Sequence, residues 1–123
     1  LVPNESELSL LTNMQVTDVK SAELAAKEIL KHGVKTVIVT LGSKGALVVT
    51  SSQVTQVDTY KVNVVDTTAA GDAFIGGFAS AILSKKSLEE SVRYGCACGA
   101  LATTKLGAQP SLPTKEEVEK FIK

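Results

Sequence analysis

Apolar positions in the first third of the chain recur at helical spacing and then run together. Residues 4–12 predict a short helix capped by Asn4, with Glu7 three positions on completing a capping-box-like pair. Over 18–32, Ala22, Ala25, Ala26, Ile29 and Leu30 repeat at i, i+3, i+4, i+7 and i+8 behind Asp18, a capping residue. His32-Gly33 supplies the stop. Thr36–Leu41 is β-branched and lacks polar alternation, which predicts a strand buried on both faces of a parallel sheet. After the break at Gly42-Ser43-Lys44-Gly45, residues 46–50 and 53–58 predict two short strands joined at Ser51-Ser52, an antiparallel edge meander. Lys61–Val65 is a third extended piece.

From Asp72 the period turns helical again. Phe74, Ile75, Phe78, Ala81 and Ile82 predict one apolar face, and Gly76, Gly77, Ala79 and Ser80 leave another bare enough for a neighbour to lie close. A second helix is lined by Leu88, Val92, Cys96, Gly99 and Thr103 and runs to about Lys105. The last is capped by Thr114 with Glu117 at the capping-box position, and turns Val118, Phe121 and Ile122 inward. Helices flanking a central parallel strand and an edge meander make an open, layered α/β domain.

Composition narrows the function. A length of 123 residues suits about one domain, and 44% hydrophobic residues suffice for a packed core. Thirteen basic and thirteen acidic residues cancel, so no global field draws the chain to nucleic acid or an anionic membrane. Aromatics are only 4%, too few for a base-stacking platform. Cys96 and Cys98 sit two apart in a helical pattern, pointing apart, with no second Cys pair or His cluster to complete a metal site, and a reducing, cytoplasmic setting follows. No apolar run approaches a membrane span. The start at Leu1, without Met, suggests a chain cut from something longer.

Chemistry concentrates where an extended run meets a helix at Asp66-Thr67-Thr68-Ala69-Ala70-Gly71-Asp72. Ala69, Ala70 and Gly71 are too small to block approach, and unpaired amides at a helix N-terminus attract anions. Asp72 would repel a bound phosphate. A catalytic Asp72, taking the proton from an attacking hydroxyl beside a transferring phosphoryl group, resolves the conflict; an ordinary first-turn acid balancing the helix dipole is the alternative.

These seven residues, continued by Ala73-Phe74, resemble the second signature of the ribokinase-like (PfkB) family of sugar kinases, Asp-Thr-x-x-Ala-Gly-Asp. Pro3-Asn4-Glu5-Ser6-Glu7 is similar to the family's Asn-x-x-Glu motif, Thr40-Leu41-Gly42-Ser43-Lys44-Gly45 to its nucleotide-binding strand-loop, and Lys105–Ser111 to a stretch typical of its ribose-phosphorylating members. The resemblance implies the C-terminal part of a layered α/β/α, Rossmann-like fold that transfers phosphate from ATP to a sugar hydroxyl. It implies Asp72 as general base at the sugar, with Ala69, Ala70 and Gly71 forming the anion hole. Asn4 and Glu7 would organise Mg²⁺ indirectly through its waters; a capping box alone also explains their spacing. Asn4, Thr40, Leu41, Gly42, Ser43, Lys44, Gly45, Gly71 and Cys96 would lie along the nucleotide, although a thiol at Cys96 departs from the Asn or His often found near the adenine.

The same resemblance implies a K⁺ site from the side chains of Asp66 and Ser111 and the carbonyls of Thr68, Ala102, Lys105 and Gly107. It implies ribose as acceptor, with fructose or a nucleoside as rivals. The family's N-terminal half, with its sugar-binding residues and lid, has no counterpart here, so the isolated chain is expected to be inactive without it. The full-length protein is expected to be a homodimer. The other reading is a truncated, non-catalytic nucleotide-binding module.

Overall fold

A computed structural model describes residues 1–104 and 113–122. The chain divides into two compact units, 1–57 and 58–123.

The first unit holds helices α1 (Glu5–Thr12) and α2 (Val19–Leu30) and strands β1 (Thr36–Thr40), β2 (Ala46–Thr50) and β3 (Val54–Val57). The sheet order is β1-β2-β3 and both pairings are antiparallel, with Ile38 opposite Val48 and Val49 opposite Val54. The parallel neighbour anticipated for β1 lies on its other edge only. There the Ile38 N–H donates to the Leu1 carbonyl at 2.9 Å, the Thr40 N–H to Pro3 at 3.0 Å, and Asn4 forms a parallel bridge with Thr40. The meander therefore has three strands. The few residues between β1 and β2 allow a hairpin, whereas a parallel return needs a dozen or more.

Val37, Ile38 and Val39 are all buried, so both faces of β1 are covered as its sequence indicates. On one face Val37, Val39, Leu47 and Val49 form a core with Leu8 of α1 and Ala22, Ala25 and Ala26 of α2. Both helices start as anticipated. Asn4 and Glu7 exchange capping-box bonds, as do Asp18 and Ser21.

The second unit holds α3 (Ala70–Leu83), α4 (Leu88–Ala102) and α5 (Lys115–Ile122). α3 and α4 meet through small residues. A Cβ at Gly95 would lie 3.0 Å from the Phe74 carbonyl oxygen, and one at Gly99 would lie 3.2 Å from that of Ala70. This close approach sets which side of α3 is buried: Ala73, Phe74, Gly77 and Ala81 face inward, while Ile75 and Ile82 remain 47% and 41% exposed. Of the bare face foreseen in the sequence, Gly77 alone receives the neighbour. Val92, Cys96, Gly99 and Thr103 are buried along α4 as their spacing indicates. α5 starts with reciprocal 3.2 Å bonds between Thr114 and Glu117, and Phe121 packs on Tyr60 with ring centroids 4.9 Å apart.

Lys61–Val65 forms no strand, because no other described strand lies along it to complete a ladder. The Val65 and Asp66 N–H groups both donate instead to the Thr103 carbonyl, at 2.6 and 3.0 Å. Among the described residues no helix is long and apolar enough to cross a membrane.

Candidate functional site

In the second unit the chemistry gathers at the start of α3. Ala69 is the N-cap, with φ −101° and ψ 5°, and its side chain gives the helix no capping bond. The Ala70 N–H donates to Thr67 at 3.2 Å and the Ala73 N–H to Ala69 at 2.9 Å. Between them, the amides of Gly71 and Asp72 meet no acceptor among the described residues. Exposed amides at the positive end of a helix dipole can donate to water or to an anion. A Cβ at Gly71 would touch nothing within 4 Å, so the approach is open, and the Asp72 carboxylate stands exposed on the same turn.

The preceding turn is held by Asp66. Its Oδ1 accepts the Thr68 N–H at 2.8 Å and also the Thr68 hydroxyl. The bonds to Thr103 bring this turn against the carboxyl end of α4, placing Asp66, Thr68 and the Ala102–Thr103 step side by side. Helix carboxyl ends carry carbonyls without helical partners, which with Asp66 make an oxygen-rich surrounding suited to a hard cation. Lys105, Gly107 and Ser111, the remaining positions of the implied K⁺ site, lie outside the described residues. Among the described residues no group of three or more His, Cys, Asp or Glu gathers. The part played by the Thr103 carbonyl was not legible in the sequence, because a main-chain acceptor leaves no residue-type signal.

Cys96 is 4% exposed, and burial pushes its thiol up to about 11. It is a neutral, apolar contact.

In the first unit a second group of candidate residues meets at one end of the sheet. The Asn4 N–H donates to Glu7 Oε1 at 3.0 Å and the Glu7 N–H donates to Asn4 Oδ1 at 2.8 Å. Both residues are exposed, so Glu7 retains solvent-facing lone pairs that suit binding to metal-bound water. The Asn4–Thr40 bridge sets this helix start beside the turn that leaves β1. That turn is tight: the Leu41 N–H donates to Gly45 at 2.8 Å, and the Lys44 and Gly45 N–H groups fold back on Leu41 and Gly42 at 3.2 and 3.1 Å. Gly42 (φ 59°) and Gly45 (φ 86°) occupy the positive-φ region that favours glycine, and a Cβ at Gly42 would meet nothing within 4 Å. Ser43 and Lys44 project to solvent. Both runs arrive here at the carboxyl ends of parallel extended segments, where ligands bind in open α/β sheets.

Asp18 was read from the sequence only as a cap. Hydrogen bonds from Ser21 hold its carboxyl below the usual value, and the nearby Lys44 charge adds to the effect.

The structure thus assembles Asn4, Glu7 and the Thr40–Gly45 turn within 1–57, and Asp66, Thr68, Ala69–Asp72 and Ala102 within 58–123. The profile of the pfkB family carbohydrate kinases matches residues 1–115. A ribokinase of Haemophilus influenzae is 43% identical over 122 residues, covering 99% of this chain and 40% of its own length. Arabidopsis thaliana ribokinase, solved with ribose and ATP, is similar with a TM-score of 0.94 and 40% identity, covering 100% of this chain and 40% of its own. Phosphofructokinase-2 of Escherichia coli, solved in complex with potassium, has a TM-score of 0.86 and 37% identity, over 98% of this chain and 38% of its own. The chain spans about 40% of the length of the relatives it matches. With a family profile matched from Leu1 to Lys115 and similarity along nearly its whole length, the chain belongs to the pfkB family of carbohydrate kinases.

Proposed function

We propose that this chain is the nucleotide-binding and catalytic part of an ATP-dependent sugar kinase that converts D-ribose to D-ribose 5-phosphate. The observation that carries this is the start of α3, where the exposed Asp72 carboxylate adjoins the amides of Gly71 and Asp72, which meet no acceptor among the described residues.

Asp72 accepts the proton of the sugar hydroxyl as that oxygen forms its bond to the γ-phosphorus and the bond to the departing ADP oxygen breaks. Ala69, Ala70 and Gly71 form the anion hole in which backbone donors meet the charge spread over the transferring group. Thr40, Leu41, Gly42, Ser43, Lys44 and Gly45 hold the nucleotide, Lys44 as a counter-charge to phosphate. Cys96 packs near the base without a strong hydrogen bond. Asn4 and Glu7 hold the waters of Mg²⁺, which when bound neutralises phosphate charge. Asp66, Thr68 and Ala102, with Lys105, Gly107 and Ser111, hold K⁺, which when bound supplies positive charge beside the anion hole. The bonds of Asp66 to Thr68 and to the Thr103 carbonyl keep the Asp66–Asp72 turn in place.

The full-length kinase is read as a cytoplasmic homodimer in which the rest of the chain supplies the sugar pocket. The 40% coverage favours one rival, a nucleotide-binding module without turnover. Transfer of the labelled γ-phosphate of ATP to ribose, fructose and a nucleoside separates the readings, measured with and without the remaining portion of the Haemophilus influenzae ribokinase. Transfer to ribose in the reconstituted mixture, and none by this chain alone, is expected. No transfer to any acceptor in either arm overturns the kinase reading, and a preference for fructose or the nucleoside overturns the choice of ribose.

A further inference from the structure

Gly42–Gly45 is a turn built on two glycines at positive φ, the residue type with the most conformational freedom to lose on folding. Its main-chain bonds close on the turn itself: Leu41 with Gly45, Lys44 with Leu41, Gly45 with Gly42. Among the described residues one side chain reaches it from elsewhere. The Gln56 amide donates to the Lys44 carbonyl at 3.3 Å, across a separation of 12 residues. Gln56 stands exposed on β3 opposite Leu47, one residue before the buried Val57 that pairs with Ala46. The Lys44 carbonyl and the Gly45 N–H belong to one planar peptide unit. Gln56 holds its oxygen and Gly42 accepts from its N–H at 3.1 Å, so the plane is fixed from both sides. Fixing it sets ψ of Lys44 and φ of Gly45, and with them the direction in which the Lys44 side chain leaves the turn.

We infer that Gln56 is a positioning residue for the nucleotide: its amide holds the Lys44–Gly45 peptide, and through it the Gly42–Gly45 turn, in the shape that meets the phosphate chain. This role rests on the reading of Thr40–Gly45 as the nucleotide turn; the tie from Gln56 to Lys44 stands without it. A turn held in its binding shape before the nucleotide arrives spends less binding free energy on being ordered. Removing the tie therefore weakens nucleotide binding and leaves the transfer step as it was, because Asp72 and the start of α3 are built from other elements. A single exposed, neutral hydrogen bond contributes modestly, which sets the expected size at about two- to tenfold in affinity. A glutamine that only keeps the outer strand wet predicts no effect on the turn or on the nucleotide.

The test compares wild type with Gln56→Met, which keeps the length of the side chain and removes its donor. In the isotopically labelled chain without nucleotide, Gln56→Met should speed amide exchange at Lys44 and Gly45, and Gln56→Arg, which restores a donor, should slow it again. Titrated with MgATP, the Gln56→Met chain should bind about two- to tenfold more weakly, with little change in urea midpoint. In the kinase reconstituted with the remaining portion of Haemophilus influenzae ribokinase, KM for ATP should rise while kcat and KM for ribose stay at the wild-type values. Gln53→Met is the control: the Gln53 amide donates to Thr55 at 3.3 Å, away from the turn, and its loss should change none of these. Unchanged exchange at Lys44 and Gly45, or an ATP affinity that Gln56→Met leaves at the wild-type value, overturns the inference and leaves the kinase reading standing. So does a loss in Gln53→Met as large as that in Gln56→Met, or a fall in kcat. A wild-type chain whose Gly42–Gly45 amides ignore MgATP removes the nucleotide reading of the turn, and the role of Gln56 falls with it.

Discussion

The sulfur of Cys98 packs against the bare backbone of Gly77: a Cβ built at Gly77 would lie 2.4 Å from Cys98 Sγ and 3.0 Å from its Cβ. The neighbouring Gly76 has open space around it. Two adjacent glycines in one helix therefore predict opposite outcomes. In the isolated chain Gly77→Ala should lower stability by about 1–3 kcal/mol through overpacking, and Gly76→Ala should raise it by about 0.5–1 kcal/mol. Urea midpoints of the two variants check this, and Cys98→Ala should recover part of the Gly77→Ala loss.

The contrast shows how far the sequence is legible. Helix starts were legible because capping chemistry is local: Asn4 with Glu7 and Thr114 with Glu117 formed the pairs their spacing indicates. The face of α3 was half legible. Its apolar period identified Phe74 and Ala81 as inward, but the closeness of α4 at Gly77 and Gly95 rotated Ile75 and Ile82 outward, and helix-to-helix distance is a tertiary property. The parallel partner of β1 was read as the rule for an unbroken β-branched run. A short glycine turn made β2 its antiparallel neighbour, leaving parallel pairing to Leu1–Asn4. Lys61–Val65 has a strand's residues without a strand's partner. Of the candidate site, the open helix start at Ala69–Asp72 was legible because small residues followed by an apolar helical period leave the first-turn amides uncovered. The tie from Asp66 to Thr103 was hidden in the main chain.

The link between α3 and α4 carries a correctable strain. Lys85 sits at φ 64°, in the left-handed region that disfavours a residue with a Cβ, just after the carboxyl end of α3. Lys85→Gly should raise stability by up to about 1 kcal/mol, read as an increase in denaturation midpoint without change in slope.

Burial pushes both cysteine thiols up to about 11 from the ordinary 9. A raised folded-state value for an acid means that the unfolded chain ionises first. The stabilising contribution is present in full below pH 9 and is lost as pH rises from 9 towards 11. Denaturation midpoints should fall across that window, and the fall should shrink in a Cys96→Ala/Cys98→Ala variant. At pH 8, thiol-reactive reagents should modify both residues only as fast as the chain opens.

The Asp18 carboxyl is held below 3.8, first by the Ser21 backbone hydrogen bond and then by the Ser21 hydroxyl. Its folded-state value is depressed, so its contribution is present above pH 3.8 and lost as pH falls through the folded value. Asp18→Asn should remove that part of the acid dependence, measured as the difference between wild-type and variant urea midpoints from neutral pH downwards.

The most direct test of the account is the rate of phosphate transfer from ATP to ribose by the reconstituted kinase, wild type against Asp72→Asn, under saturating nucleotide. Asparagine preserves the size of the side chain and removes the base, so the rate should fall by about 10²–10⁴-fold while nucleotide affinity stays within a few fold. An Asp72→Asn enzyme that transfers phosphate at the wild-type rate would contradict the assignment of Asp72 as the general base.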